Sequence, residues 1–187
     1  INYPSTEKSI EEIASKFFKP GIDECMQFQP DAIHIVTHSL GGIVTRQGLS
    51  KQKPKILGHV VMLAPPNQGS EVVDKLQTWW LYKWLNGPAG QQLSTRPDSL
   101  PNRLGPADFP LGIITGNRHA FFDGWLSQII PGEDDGKVSI KRAQIEGMAD
   151  FLVVEETHPF IMNAEQVHHQ IVHFFDNGAF IHGTTSN

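Results

Sequence analysis

Ser39 lies in a stretch whose residue types favour nucleophilic chemistry. An apolar run ends at this serine, which is followed by Leu40 and then by Gly41 and Gly42. This order predicts a buried strand, a sharp turn and the start of a helix. A serine at such a junction is held in a strained conformation with its hydroxyl exposed, as a nucleophile requires. The turn demands small residues two positions before and after the serine. Gly41 meets that demand, and Thr37 stands where glycine is usual.

A base and an acid for Ser39 follow from their positions after predicted strands. A serine hydroxyl is activated when an imidazole takes its proton and a carboxylate fixes the tautomer of that imidazole. His158 lies in one later loop, and Asp134 and Asp135 lie in an acidic turn before it. The spacing of 23 residues (158 − 135) leaves room for a short helix and one strand. We predict Ser39 as nucleophile, Asp135 as acid and His158 as base, with Asp134 as the competing acid.

The other histidines fit the role of base less well. His34 and His59 lie inside apolar strands, and His38 directly precedes the nucleophile, where its side chain is poorly placed to act as a base. His169 and His173 are four residues apart and could share a metal ion, but no third ligand of suitable spacing accompanies them. The sequence therefore predicts no metal site and no cofactor.

Alternating strands and helices must position these residues. Apolar runs predict strands at about residues 32–37, 56–64, 110–115 and 151–155, with a further short strand ending near Tyr3. Helices are predicted after a cap at Ser5 or Thr6, from about Gly41 to Ser50, from Glu71 after a cap at Ser70, and along an apolar face formed by Val167, Ile171, Phe174 and Phe175. Pro20 and Gly21 are expected to kink or divide the first helix. The alternation predicts an α/β fold, with a mostly parallel sheet covered by helices on both faces.

Composition agrees with a single globular domain over residues 1–187. Hydrophobic residues make up 39% of the chain and charged residues 19%. The net charge of −5, without a cluster of Lys or Arg, argues against a nucleic-acid partner. No apolar run approaches the roughly 20 residues that cross a bilayer. Cys25 is the one cysteine, so cysteine usage indicates neither the compartment nor an internal disulfide.

Four segments together resemble the bacterial lipase and esterase branch of the α/β-hydrolases: Thr37–Gly42, Ala64–Ser70, Asp135–Ser139 and Thr157–Met162. The resemblance extends over nearly the whole chain and implies an α/β-hydrolase fold. It implies Ser39 as nucleophile, Asp135 as acid and His158 as base. It also implies that the backbone N–H of Leu40 donates to an oxyanion, and that Asn67 lies in a loop at the rim of the site, where it could bind substrate.

The resemblance further implies an upstream strand and a loop that carries a second oxyanion N–H. In the family's sheet that strand lies between the strand ending near Tyr3 and the strand leading to Ser39, and its absence would leave backbone groups unpaired. We therefore expect an N-terminally incomplete fold in which residues precede Ile1. A targeting segment would lie in the same region, so localisation is not readable from this sequence.

Residues 76–106 hold a dense aromatic and aliphatic cluster formed by Trp79, Trp80, Leu81, Trp84 and Leu85. These side chains either pack a helix onto the sheet or form a cap that binds an acyl chain over Ser39.

The predicted function is that of a serine hydrolase that cleaves a small-molecule or lipid carboxylic ester through an acyl-enzyme. Acyl transfer to another alcohol would use the same residues. Two alternatives come from other classes: a catalytically silent hydrolase-fold binding module, and an interaction domain that exposes the tryptophan segment. The order of Ser39, Asp135 and His158 favours the enzyme. The sequence leaves open the acyl length, the alcohol and the oligomeric state.

Overall fold

A computed structural model describes residues 1–76, 87–119, 130 and 132–183. The tryptophan cluster at 79–85 lies outside these residues. Among the described residues, helices span Ile10–Ile13 (α1), Lys19–Met26 (α2), Leu40–Lys51 (α3), Glu71–Leu76 (α4), Leu100–Arg103 (α5), Ile140–Ala143 (α6) and Glu165–Asn177 (α7). The strands span Ile33–His38 (β1), Leu57–Leu63 (β2), Leu111–Arg118 (β3) and Asp150–Thr157 (β4).

The four strands form one parallel sheet in the order β1-β2-β3-β4, which is also their order in the chain. The parallel sheet and its four strands, predicted from the apolar runs, are confirmed. Because all the strands run in one direction, their carboxyl ends lie at one edge of the sheet. The loops that follow β1, β3 and β4 therefore meet there, and these loops carry the candidate nucleophile, acids and base.

Helices cover both faces of the sheet, as predicted. Successive residues of β2 alternate between the two faces: Val60 and Met62 pack with α1 and α3, whereas Val61 and Leu63 pack with α7. All four side chains are buried, which explains why β2 reads as a continuous apolar run. The apolar face predicted for α7 is confirmed, with Val167, Ile171 and Phe174 buried and Phe175 partly buried against the same cluster.

The N-terminal segment differs from its prediction in two ways. Residues 1–9 contain no strand, so the strand expected to end at Tyr3 is wrong. The first helix begins at Ile10 and is capped by Ser9, not by Ser5 or Thr6. Ser9 Oγ accepts the Glu12 N–H and the Glu12 carboxylate accepts the Ser9 N–H, both at 3.2 Å. This reciprocal pair satisfies two amides at once, which favours Ser9 over the earlier hydroxyl residues.

Pro20 divides the first helix, as predicted, but through a widened turn. Residues Ala14–Phe18 form a π-helical turn between α1 and α2, and the Lys19 N–H donates to the carbonyl of Ala14. Proline has no N–H and its ring clashes with the carbonyl four residues earlier, so it is tolerated only in the first turn of an α-helix, and α2 begins at Lys19. The wider turn lets the chain remain helical.

The outer edge of β1 has no strand beside it in the described part of the chain. Val36, on β1, is 47% exposed. A cavity of about 570 Å³ is lined by this edge of β1, by Tyr3 and by Ser39. Within the described residues, no helix is both long enough and apolar enough to cross a bilayer.

Candidate active site

Ser39 occupies the turn between β1 and α3, as the sequence pattern predicts. Its backbone has φ +53° and ψ −123°, a conformation that L-residues rarely adopt and that costs about 1–3 kcal/mol. Two hydrogen bonds hold it there: the Ser39 N–H donates to the Leu63 carbonyl at 2.9 Å, and the Ser39 carbonyl accepts the Gly42 N–H at 3.0 Å. A Cβ on Gly41 would lie 3.4 Å from the Thr37 Cβ, which is van der Waals contact, so the turn accommodates a threonine at position 37.

His158 joins Ser39 to Asp135. Its Nε2 lies 2.9 Å from Ser39 Oγ, and its Nδ1 lies 2.8 Å from Asp135 Oδ2. Because a carboxylate only accepts hydrogen bonds, Nδ1 carries the proton and the bare Nε2 accepts the serine hydroxyl. His158 is 3% exposed and Asp135 is fully buried. The arrangement has the hydroxyl, the imidazole and the carboxylate in the order that proton abstraction from serine requires.

The two adjacent acids point to different partners. Asp135 Oδ1 accepts the N–H groups of Lys137 and Val138 at 3.0 and 2.9 Å, which leaves Oδ2 for His158. Asp134 Oδ1 instead accepts the Gly136 N–H at 2.7 Å and lies 3.1 Å from His119 Nε2.

The structure therefore brings Asp135, and not Asp134, to the histidine. Burial raises the pKa of Asp134, and the Gly136 N–H and the His119 ring offset part of that rise. The Asp134 carboxylate thus pairs with His119, whose side chain is 41% exposed, and not with His158.

Gly116, on β3, permits the close approach of the acid loop, and sequence analysis did not identify it. A Cβ at this position would lie 2.1 Å from the Glu156 carbonyl oxygen and 3.2 Å from the Asp135 Cβ. Any side chain there would push β4 or the acid loop away from β3. A glycine inside an apolar strand was the available signal, since such a glycine often marks the close approach of another backbone.

The backbone N–H of Leu40 lies at the start of a helix, next to Ser39. Leu40 is the first residue of α3, and amides in the first turn of a helix have no acceptor within the helix. The positive end of the helix dipole lies at the same point, which favours negative charge beside Ser39. Leu40, Ser39 and Tyr3 are among the residues that line the 570 Å³ cavity.

Asn67 is placed differently from its expected role at the rim. It is 1% exposed, its Nδ2 donates to the Ala143 carbonyl at 2.9 Å, and its Oδ1 accepts from Arg46 at 3.3 Å. Both ends of the amide are thus engaged inside the protein, which argues against contact with a substrate. Asn67 ties the loop after β2 to α6. Ser70 directly precedes α4, which begins at Glu71 as predicted, and its hydroxyl donates to the Lys137 carbonyl.

Arg46 is buried in α3 and organises the loops beneath the site. It is 4% exposed and donates to the carbonyls of Asn67, Pro101 and Gly105 at 2.9, 2.9 and 2.7 Å. Burial lowers the pKa of Arg46 to about 10. The planar guanidinium thus joins two segments, the loop after β2 and the segment around α5, through donors in a rigid fork that lysine lacks.

Arg46→Met should lower the free energy of unfolding by about 3 kcal/mol, because buried carbonyl groups lose their charged donor. Urea unfolding at neutral pH would measure the change. Arg96→Met is the matched control, since Arg96 pairs with Asp98 on an exposed surface and its loss should cost less than about 1 kcal/mol. Equal effects of the two substitutions would contradict the role assigned to Arg46.

His38 contacts the base, which sequence analysis did not foresee. Its Nε2 lies 2.9 Å from the backbone carbonyl oxygen of His158, and the two ring centroids are 5.0 Å apart. Burial first, and then the nearby His158, lower the pKa of His38 to about 4. In residues 1–76, 87–119, 130 and 132–183, no group of three or more His, Cys, Asp or Glu side chains could hold a metal ion.

No protein-family model matches this sequence, and no curated protein matches it. Solved structures do match. The mature form of Bacillus licheniformis lipase BlEst2 has a TM-score of 0.67 at 18% identity, over 94% of this chain and 76% of the lipase. Phospholipase PlaB from Legionella pneumophila, in complex with thio-NAD, has a TM-score of 0.65 at 22% identity, over 77% of this chain and 34% of the phospholipase.

These matches agree with the architecture described above. This chain has the parallel sheet, the strand order and the helices on both faces that were described above. It spans about three quarters of the lipase and about one third of the phospholipase. The chain has the α/β-hydrolase fold.

Proposed function

We propose that this protein is a serine hydrolase that cleaves carboxylic esters through an acyl-enzyme. The observation that carries the proposal is the hydrogen-bonded series from Ser39 through His158 to Asp135, with distances of 2.9 and 2.8 Å. Matches to structures named as a lipase and a phospholipase favour an ester as the substrate.

In the acylation half of the reaction, Ser39 Oγ attacks the ester carbonyl carbon while His158 Nε2 takes the hydroxyl proton. Negative charge develops on the former carbonyl oxygen, and the Leu40 N–H donates a hydrogen bond to it. Asp135 stabilises the imidazolium through Nδ1. The bond from the acyl carbon to the alcohol oxygen then breaks, and His158 gives its proton to the departing alcohol.

In the second half, water takes the place of the alcohol. His158 removes a proton from water as the oxygen attacks the acyl carbon, and the same proton returns to Ser39 Oγ when the acid leaves. Another alcohol could replace water and would yield a new ester. Hydrolysis and acyl transfer therefore differ in the acceptor and not in these residues.

The surroundings of Ser39 favour an ester with an apolar group. Leu40, which directly follows the nucleophile, is partly exposed. Phe160, two residues after the base, is 55% exposed. Apolar groups at these positions suit an acyl chain better than a charged substrate.

A fluorophosphonate probe tests the proposal directly. We expect one covalent adduct per folded molecule, seen in the intact mass and mapped to Ser39, because only an activated serine attacks phosphorus at neutral pH. Protein unfolded in urea should not react, which separates activation from general reactivity. A panel of p-nitrophenyl esters from acetate to laurate would then define acyl preference. A folded protein without an adduct would contradict the proposal.

A further inference from the structure

All four polar atoms of His158 have partners, and only three residues supply them. The side-chain nitrogens lie 2.8 Å from Asp135 Oδ2 and 2.9 Å from Ser39 Oγ. The backbone N–H donates to the Asp135 carbonyl at 3.0 Å. The backbone carbonyl oxygen lies 2.9 Å from His38 Nε2. The first three contacts are made with Asp135 and Ser39, which act in the proposed reaction. The fourth contact, with His38, has no role in that reaction.

We propose that His38 is a positioning residue: its Nε2–H holds the backbone carbonyl of His158 and so keeps the base within reach of Ser39. The inference rests on the proposed function, since it assigns His158 the role of base. It adds to that proposal a role for His38, the residue directly before the nucleophile.

The partner determines the tautomer of His38. A carbonyl oxygen accepts hydrogen bonds and carries no proton, so His38 Nε2 must be the donor. In the neutral ring, Nδ1 is then without a proton. His38 and His158 thus have opposite tautomers: His38 is protonated on Nε2, and His158 on Nδ1.

The connectivity explains why this contact matters for position. His158 follows β4 and lies 120 residues from His38, which ends β1. The hydrogen bond ties these two segments together at the point where Ser39 leaves the strand. We call this hydrogen bond from His38 to the His158 carbonyl the tether. Because His38 and Ser39 are consecutive residues, the tether sets the position of His158 relative to the hydroxyl that it must deprotonate. A displacement of about 1 Å in such a pair can cost roughly 100-fold in rate.

The proton transfers to His158 also favour an uncharged His38. His158 becomes positive during each proton transfer, and its ring centroid is 5.0 Å from that of His38. A second positive charge at this distance would oppose that step. Burial, His158 and Lys137 lower the pKa of His38, and the hydrogen bond to the His158 carbonyl and the charge of Asp135 partly offset this, which leaves it at about 4. His38 is therefore neutral throughout the neutral pH range.

Three substitutions of His38 distinguish a positioning role from a role in packing alone. His38→Gln keeps an N–H donor at about the reach of Nε2, His38→Asn has the same amide one methylene shorter, and His38→Leu has no donor. We expect kcat for a p-nitrophenyl ester to fall about 10- to 100-fold in His38→Leu and His38→Asn, with KM little changed. His38→Gln should recover most of this loss. Wild-type kcat in His38→Leu, or an equal loss in all three variants, would overturn the inference.

Long-range ¹H–¹⁵N NMR of the wild-type protein provides a test that needs neither activity nor a folded variant. A single Nε2–H tautomer of His38 supports the tether, and an Nδ1–H tautomer or an even mixture overturns it. If the wild-type protein neither hydrolyses esters nor reacts with the fluorophosphonate, the proposed function fails. The NMR result then decides the tether separately.

Stability against pH gives a second measurement on the same variants. The pKa of His38 is about 4 in the folded protein and 6.5 in an ordinary histidine, so protonation favours the unfolded chain. The wild-type protein should lose stability as pH falls from 6.5 toward 4, and His38→Gln should lose less over the same range. The difference between the two curves, measured by urea unfolding, isolates His38. Parallel curves would contradict a buried, neutral His38.

Discussion

Ser39→Ala should reduce kcat for ester hydrolysis by about a million-fold, the size of effect seen when a serine nucleophile that acts with a histidine is removed. No other hydroxyl can replace it in this geometry, because the oxygen 2.9 Å from His158 Nε2 is Ser39 Oγ. The adduct with the fluorophosphonate should disappear as well. Steady-state hydrolysis of a p-nitrophenyl ester and the intact mass after probe treatment would measure both losses.

Substitutions at position 39 also differ in their expected effect on the free energy of unfolding. Alanine keeps the unfavourable φ of +53° at residue 39, so Ser39→Ala should unfold in urea much as the wild-type protein does. Ser39→Gly should be about 1 kcal/mol more stable than Ser39→Ala, since glycine adopts this conformation without a Cβ clash. More than about one thousandth of the wild-type rate in a folded Ser39→Ala protein would indicate a different nucleophile.

Asp135→Asn should lower kcat by about 10,000-fold while it preserves the shape of the side chain. The N–H groups of Lys137 and Val138 both donate to Oδ1, so the asparagine oxygen is expected to remain there. Its amide nitrogen then faces His158 Nδ1, which must accept a hydrogen bond. The imidazole proton moves to Nε2, and His158 can no longer accept the proton of Ser39.

Asp134→Asn is the matched control, since it makes the same chemical change one residue away. The asparagine oxygen can still accept the Gly136 N–H, and the contact with His119 lies outside the Ser39–His158–Asp135 series. We expect kcat within about tenfold of wild type, measured at neutral pH on samples whose fold is checked by circular dichroism. A larger loss in Asp134→Asn than in Asp135→Asn would mean that the acid has been assigned to the wrong residue.

Much of the fold followed from local patterns in the sequence. An apolar run that ends at a turn predicts a strand wherever it lies in the chain, and the runs before Ser39, Pro65 and His158 all form strands. In a parallel sheet, the loops that follow the strands all lie at the carboxyl ends of those strands. For that reason the approximate meeting of Ser39, the acidic turn and His158 was predictable without coordinates.

Local patterns failed where several positions offered the same chemistry, or where a distant side chain engaged a loop residue. Ser5, Thr6 and Ser9 can all cap a helix, and the reciprocal contact between Ser9 and Glu12 determines the start at Ile10. Asn67 looks like an exposed loop residue in the sequence. The buried guanidinium of Arg46, which lies 21 residues earlier, engages its amide instead.

The sequence by itself determined the types of the candidate residues, their order along the chain after predicted strands, and the sharp turn at Ser39. These features depend on short-range periodicity and on the conformational freedom of glycine. Only the tertiary structure decided that Asp135 and not Asp134 faces His158, and that His38 holds the carbonyl of the base. Those choices depend on the direction of single side chains across 23 and 120 residues of chain. Side-chain direction is set by backbone dihedral angles and by the packing of distant segments, neither of which is contained in the spacing of residues along the chain.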